Sequence, residues 1–304
     1  MQRREFLQGA GAAAVGLGLS AFPAGWVQAA GAPKRRILFF TRSQTFEHSP
    51  IKRNGDKLGF AEQTLTDLGA KHDFEVTCTK DGAVFTPENI AKYDAFFFYT
   101  TGDLSKAAPD GSNPITAEGK AALLDAVKKG KGFLGTHSAT DTYHPEPDDR
   151  YVNYGDKVDP YIAMLGGEFI HHDAQQDSKM IVIDTKFPGC EGLTDFTMHD
   201  EWYSLKDFRK DLHVLLVQET AGMKGPHYQR APYPATWARR HGKGRVFYTS
   251  MGHREDVWTN PTFQQILLGG LSWAVGNVRA DVTPNIEKVA PKAWELPARP
   301  GPKA

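Results

Sequence analysis

Cysteine is nearly absent, with only Cys78 and Cys190 in a chain of 304 residues. Two thiols cannot build a disulfide framework, although an oxidising compartment would permit one bridge, and neither has the C-x-x-C partner of a zinc–thiolate site. Cys78 sits in an alternating, strand-like run and is expected to be buried as a small apolar side chain. A surplus of charge is also missing: 36 basic side chains balance 36 acidic ones, and no basic stripe stands out. That argues against a nucleic-acid partner. No run of about 20 strongly apolar residues occurs, so stable membrane insertion is not expected. No internal repeat is visible.

What is present starts at the N-terminus. Arg3 and Arg4 precede Phe6 and Leu7 and then a Gly/Ala-rich, weakly apolar stretch interrupted by Pro23. This is the layout of a twin-arginine signal peptide over residues 1–29, with Val27-Gln28-Ala29 as a small-x-small cleavage site and a mature start near Ala30. The expected partner during export is the twin-arginine translocase, and the expected location is the periplasm. Removing Arg3, Arg4 and Glu5 with the signal leaves 34 basic against 35 acidic side chains. The mature chain of about 275 residues is long enough to bury one large core.

Short continuous apolar runs recur along that chain, as doubly covered parallel strands require. They are 36–41, 74–80, 94–100, 132–137, 180–185, 213–219 and 245–251. Helical periodicity separates the early ones, at 57–70, at a short piece begun by Thr86-Pro87, and at 116–129 behind Thr116. Strands alternating with helices predict βαβ units and a parallel sheet. In the second half, 211–220 and 235–250 read as strands, the latter broken by the turn Gly242-Lys243-Gly244, which predicts antiparallel strands extending the sheet. A final helix is predicted from Pro261 to Ala274. Residues 279–304, with five prolines and no helical pattern, read as an extended tail that wraps the surface or stays disordered.

In open α/β sheets ligands bind beyond the carboxyl ends of the strands. Four histidine-rich clusters fall on that predicted edge. His48 follows the first strand, His137, Ser138 and Asp141 follow the fourth, His199, Asp200 and Glu201 precede later strands, and His253, Arg254 and Glu255 follow the last. Gly135-Thr136-His137-Ser138-Ala139 has the small residues of a sharp strand–turn–helix elbow, with histidine where related folds carry a nucleophile. An imidazole there can act as general acid, general base or metal ligand. Ser138 lies one place beyond the elbow, which disfavours a serine triad.

In chain order, FTRSQTFEHSP, KKGKGFLGTHSATDT, LGGEFIHHDAQQ, HDEWYSL, YPATWARRHGKGRVFYTSMGHREDVW and NPTFQQILLGGLSWAVG resemble the ThuA-like (trehalose-utilisation) family, within the class I glutamine-amidotransferase-like superfamily. The resemblance covers about residues 36–278, so residues 30–278 are expected to form one ThuA-like domain. It implies an α/β flavodoxin-like three-layer sandwich and a link to sugar metabolism. It further implies that His48, His137, Asp141, His172, Glu201 and His253 occupy family motif positions. Met198-His199 before the Asp-Glu-Trp-Tyr piece and Ser204-Leu205 after it depart from the family pattern. Without a cysteine at the elbow, glutaminase chemistry is not transmitted.

The site expected from these residues has His137 and Glu201 as an acid/base pair, with Asp200 and Asp141 as further catalytic carboxylates. His48, Ser138, His172, Trp202, Tyr203 and Arg254 are the candidate substrate contacts, Trp202 as a stacking face for a sugar. Adjacent His171 and His172 point to opposite faces of a strand, so at most one serves the site. His48, His137 and His253, with Glu201, have ligand types suited to zinc or a similar divalent ion. The expected substrate is a glycoside or keto-sugar; the alternative is a non-catalytic sugar-binding protein.

Overall fold

The computed structural model describes residues 34–301; the signal-peptide reading lies outside the described residues. The first parallel strands form where the apolar runs predict them: β1 (Arg35–Phe40), β2 (Phe74–Thr79), β3 (Ala95–Phe98) and β4 (Gly132–Thr136). The second half adds β5 (Glu168–His172), β6 (Gln176–Val182), β7 (Phe196–Asp200), β8 (Tyr203–Lys206), β9 (His213–Gln218), β10 (Tyr233–His241) and β11 (Gly244–Thr249). Nine of these make one sheet in the order β2-β1-β3-β4-β11-β10-β9-β6-β7, while β5 and β8 pair separately. The run from β2 to β11 is parallel throughout. From β11 onward every pairing is antiparallel.

Alternating side chains of each central strand feed two cores. Ile37 and Phe39 of β1, with Leu134 and Phe247, pack on one face against Leu65 of α1 (Phe60–Lys71) and Ile266 and Leu267 of α6 (Pro261–Ala274). Leu38 and Phe40, with Phe133 and Val246, pack on the other against Leu123 and Val127 of α3 (Ala117–Lys129) and Ile162 and Leu165 of α4 (Pro160–Leu165). Burial on both faces is why these strands read as unbroken apolar runs. The helix starts are local chemistry. Thr116 Oγ1 accepts the Gly119 N–H at 3.0 Å before α3, and Asn260 Oδ1 accepts the Thr262 N–H at 2.9 Å before α6, whose first residue is Pro261. Short helices α2 (Pro87–Ala91) and α5 (Glu255–Thr259) complete the layers.

The C-terminal segment departs from expectation, because 279–301 includes a helical turn, α7 (Ile286–Val289). Ile286, Ala290 and Ala293 are buried in the second core. The Asn285 side chain accepts from Val214 N–H at 2.6 Å and donates to Val214 O at 3.1 Å. Trp294 Nε1 donates to Phe208 O at 2.8 Å. The helical turn is only four residues long and is followed by Pro291, too short a stretch for a helical period to read from the sequence. Cys78 is half-buried, Cys190 is buried, and both are free thiols.

Candidate active site

Beyond the carboxyl ends of β1, β3, β4 and β11 the loops converge. β1 leads to His48, which precedes a 3-10 turn at Ser49–Ile51. β4 runs directly into the 3-10 turn His137–Thr140. His137 takes a left-handed φ of +43°, a conformation that costs a non-glycine residue about 1–2 kcal/mol. The turn is held by hydrogen bonds on both sides: Tyr248 Oη donates to His137 O at 2.7 Å and Tyr161 Oη donates to Ala139 O at 3.0 Å. A Cβ on Gly135 would lie 2.9 Å from Ala139 Cβ, so the elbow closes only over a glycine.

After β11 the chain turns through Gly252 at φ +116°, where a Cβ would lie 2.9 Å from Thr136 Oγ1. Gly252 O accepts from Tyr99 Oη at 3.0 Å and Trp258 Nε1 at 2.9 Å. His253 is thereby presented to His137. On the opposite wall the end of β7 is locked to this loop by Asp200. Its carboxylate accepts from the N–H groups of Gly252 at 2.7 Å, Glu201 at 2.9 Å and Arg254 at 3.2 Å.

These constraints bring four side chains from four distant segments together. Ligand-type atoms of His48, His137, Glu201 and His253 all lie within 4.8 Å of one another. Glu201 Oε2 is 3.4 Å from His137 Nε2 and 3.0 Å from His253 Nδ1, and its Oε1 is 3.2 Å from His172 Nδ1. Burial pushes the Glu201 carboxyl up, but the hydrogen bonds and charges of His137 and His253 outweigh it and hold the group well below the usual carboxylate range. Burial and then the neighbouring His137 and His253 push His48 well below the usual histidine range. Tyr203 forms the floor: its ring centre is 4.1 Å from that of His137 and its hydroxyl is 3.3 Å from His48 Nε2. Glu201 and His172 line a cavity of about 960 Å³, together with Tyr151, Asp173, His227 and Arg299.

Access separates the expected residues. His137 has a side-chain exposure of 0% and Glu201 of 11%, whereas His172 reaches 38%. The imidazole open to the cavity beside Glu201 is therefore His172, not His137. Asp200 is fully buried and all its bonds go to backbone, so it positions the loops and cannot reach a ligand. Trp202 is also fully buried, in the first core, with Nε1 donating to Gln176 O at 2.9 Å; it offers no stacking face. Ser138 is buried in the elbow turn. Asp141 is engaged away from the cluster, accepting from His144 Nε2 at 2.7 Å and Arg150 Nη1 at 3.1 Å. The Arg254 guanidinium is held by Asp256 and Gln175.

The structure adds two histidines that sequence reasoning left aside. His144 donates or accepts at both ring nitrogens, with Asp141 and with Glu168 at 2.6 Å. Burial lowers its pKa, but these two carboxylates more than compensate, so it is raised overall. His227 stacks on His171 with ring centres 4.3 Å apart, and its Nε2 is 2.8 Å from Tyr151 Oη. His171 thus joins this stack while His172 faces Glu201.

Residues 36–274 match the ThuA family, described as trehalose utilisation. The chain belongs to the ThuA family. Membership ties it to sugar metabolism and to the glutamine-amidotransferase-like superfamily. Among solved structures, a ThuA-like protein of Bacteroides uniformis is similar at a TM-score of 0.60 and 20% identity, covering 84% of this chain and 95% of its own. A ThuA-like protein of Parabacteroides merdae follows at a TM-score of 0.53 and 17% identity, covering 82% and 92%. A cytoplasmic protein of Salmonella typhimurium has a TM-score of 0.51 and 16% identity, covering 80% and 98%. At these identities the likeness is one of fold. No curated protein matches the chain.

Proposed function

We propose that this ThuA-family protein is an exported enzyme of sugar utilisation that acts on a glycoside or keto-sugar in the periplasm. The observation that carries the reading is the His172–Glu201 pair at the cavity wall, backed by His48, His137 and His253. His172 Nδ1 faces two acceptors, Glu201 Oε1 at 3.2 Å and Asp173 O at 3.1 Å. The proton therefore resides on Nδ1, which leaves Nε2 as the basic nitrogen. A carbonyl in a keto-sugar acidifies the neighbouring C–H, and an imidazole so oriented can take that proton or return one to a leaving oxygen. Glu201, kept ionised, stabilises the imidazolium that forms. The cavity of about 960 Å³ falls in the size range of small-molecule sites.

Among the described residues no helix is long and apolar enough to cross a membrane, and export by the twin-arginine route rests on Arg3 and Arg4. Replacing both by lysine is expected to retain the protein in the cytoplasm, as read by cell fractionation. For the reaction, the purified mature protein is incubated with trehalose, other glycosides and their keto derivatives, and products are followed by mass. Conversion that falls at least about 100-fold in His172→Ala, within the range of general acid–base contributions, supports the reading. A substrate that binds and is returned unchanged under every condition would replace it with a sugar-binding role.

A further inference from the structure

We propose that His48, His137, His253 and Glu201 form a mononuclear site for a divalent first-row transition metal; this rests on the same cavity being the working site. Three candidate ligand atoms already form a nearly equilateral triangle: His137 Nε2 to His253 Nδ1 is 3.2 Å, His137 Nε2 to Glu201 Oε2 is 3.4 Å, and His253 Nδ1 to Glu201 Oε2 is 3.0 Å. A tetrahedral ion with bonds of about 2.0–2.1 Å sets its ligands roughly 3.3 Å apart. The triangle has those edges without any adjustment of the backbone.

The proton inventory points the same way. His137 Nδ1 faces the Ser250 carbonyl at 3.1 Å, an acceptor only, so Nδ1 donates outward and Nε2 is the nitrogen turned inward. This backbone contact is the outer-sphere arrangement that fixes the tautomer of a metal-bound histidine. Inward of it, Nε2 meets a carboxylate oxygen and a second imidazole nitrogen. A metal cation at the centre would take all three atoms as ligands at once.

His48 closes the fourth side of the cage. It is 2% exposed, and among the described residues its Nδ1 has no hydrogen-bond partner. Its ring lies edge-on to those of His137 and His253, with centres 4.9 and 5.1 Å away. Three imidazoles are borderline donors that outnumber the one hard carboxylate, a set suited to zinc, cobalt, iron or nickel rather than calcium or magnesium. An ion there would polarise a substrate oxygen entering past Glu201, leaving His172 free to handle the proton.

The test uses the mature protein stripped by chelator and titrated with Co²⁺, followed by visible absorption, elemental analysis and back-displacement with Zn²⁺. The expected result is one ion per chain, with affinity lost by at least about 100-fold in both Glu201→Gln and His253→Ala, since even outer-sphere changes cost 10–100-fold. His199→Ala, on an outward-facing side chain paired with Asp177, should bind as wild type. Folded protein, verified by circular dichroism, that takes up no stoichiometric ion, or both ligand variants binding as wild type, would overturn the proposal. Metal bound without sugar conversion sinks the enzymatic reading alone, and conversion by metal-free protein sinks the metal alone.

Discussion

Asp200 joins the two walls of the site, and Asp200→Asn measures what that junction contributes. The carboxylate accepts three backbone N–H groups, two on Oδ1 and one on Oδ2. An asparagine keeps the pair from Glu201 and Arg254 if its carbonyl takes the Oδ1 position, and then sets its NH₂ against the Gly252 N–H. One buried donor loses its partner, at a cost of about 1–3 kcal/mol, and the two retained bonds lose their charge assistance. Against this, burial pushes the Asp200 carboxyl up, with the His137 charge offsetting part of it, so the neutral amide recovers some desolvation energy. The balance is about 2 kcal/mol of destabilisation, or roughly 4–8 °C in Tm for a domain of this size. Asp200→Ala orphans all three donors and should cost about 3–6 kcal/mol. Thermal unfolding followed by circular dichroism gives both values. Asn melting within about 1 °C of wild type, or Ala proving milder than Asn, would refute the claim that these three hydrogen bonds hold the loops.

Gly252→Ala places a Cβ at a left-handed φ and against Thr136 Oγ1; a loss of about 2 kcal/mol or more is expected in denaturant unfolding, and wild-type stability would contradict the need for glycine. The His144 pKa is raised in the folded state by Asp141 and Glu168 against the opposing effect of burial. Its stabilisation is thus full below the unfolded value of about 6.5 and lost as pH rises through the folded value. Unfolding free energies measured across that window should fall in wild type and stay flatter in His144→Asn. Burial pushes the Cys78 thiol up to about 12 and raises Cys190 as well; at pH 8 neither should react with a thiol reagent until the protein is denatured, and rapid native labelling would disprove their seclusion.

Much of the fold is legible in the sequence because the central strands are buried on both faces and read as continuous apolar runs. The elbow around His137 is equally legible, since only small neighbours permit the turn. Sidedness within β7 is harder. Met198 and Asp200 share a face by the two-residue period of a strand, and the buried Met198 marks that face as core. That signal separates the positioning Asp200 from the site-facing Glu201, but it requires knowing that β7 exists, and its outer positions are polar. Trp202 misleads because a tryptophan beside a carboxylate fits both a sugar platform and a core. His144 and His227 leave no periodic trace; their partners lie on segments that only tertiary folding brings near. The ordering of His172 above His137 is likewise set by depth in the fold, a quantity that spacing along the chain does not carry.

The placement of β11 between β4 and β10 has a consequence for biosynthesis. A nascent chain that has emerged only through β4 has four strands with β4 as an open edge, and the neighbour of that edge, β11, is still to be made. Until residues 244–249 are made, that edge exposes Phe133 and Leu134 and the backbone groups beside them, a template for wrong pairing. His253 follows immediately, so closing the sheet and completing the site are one event.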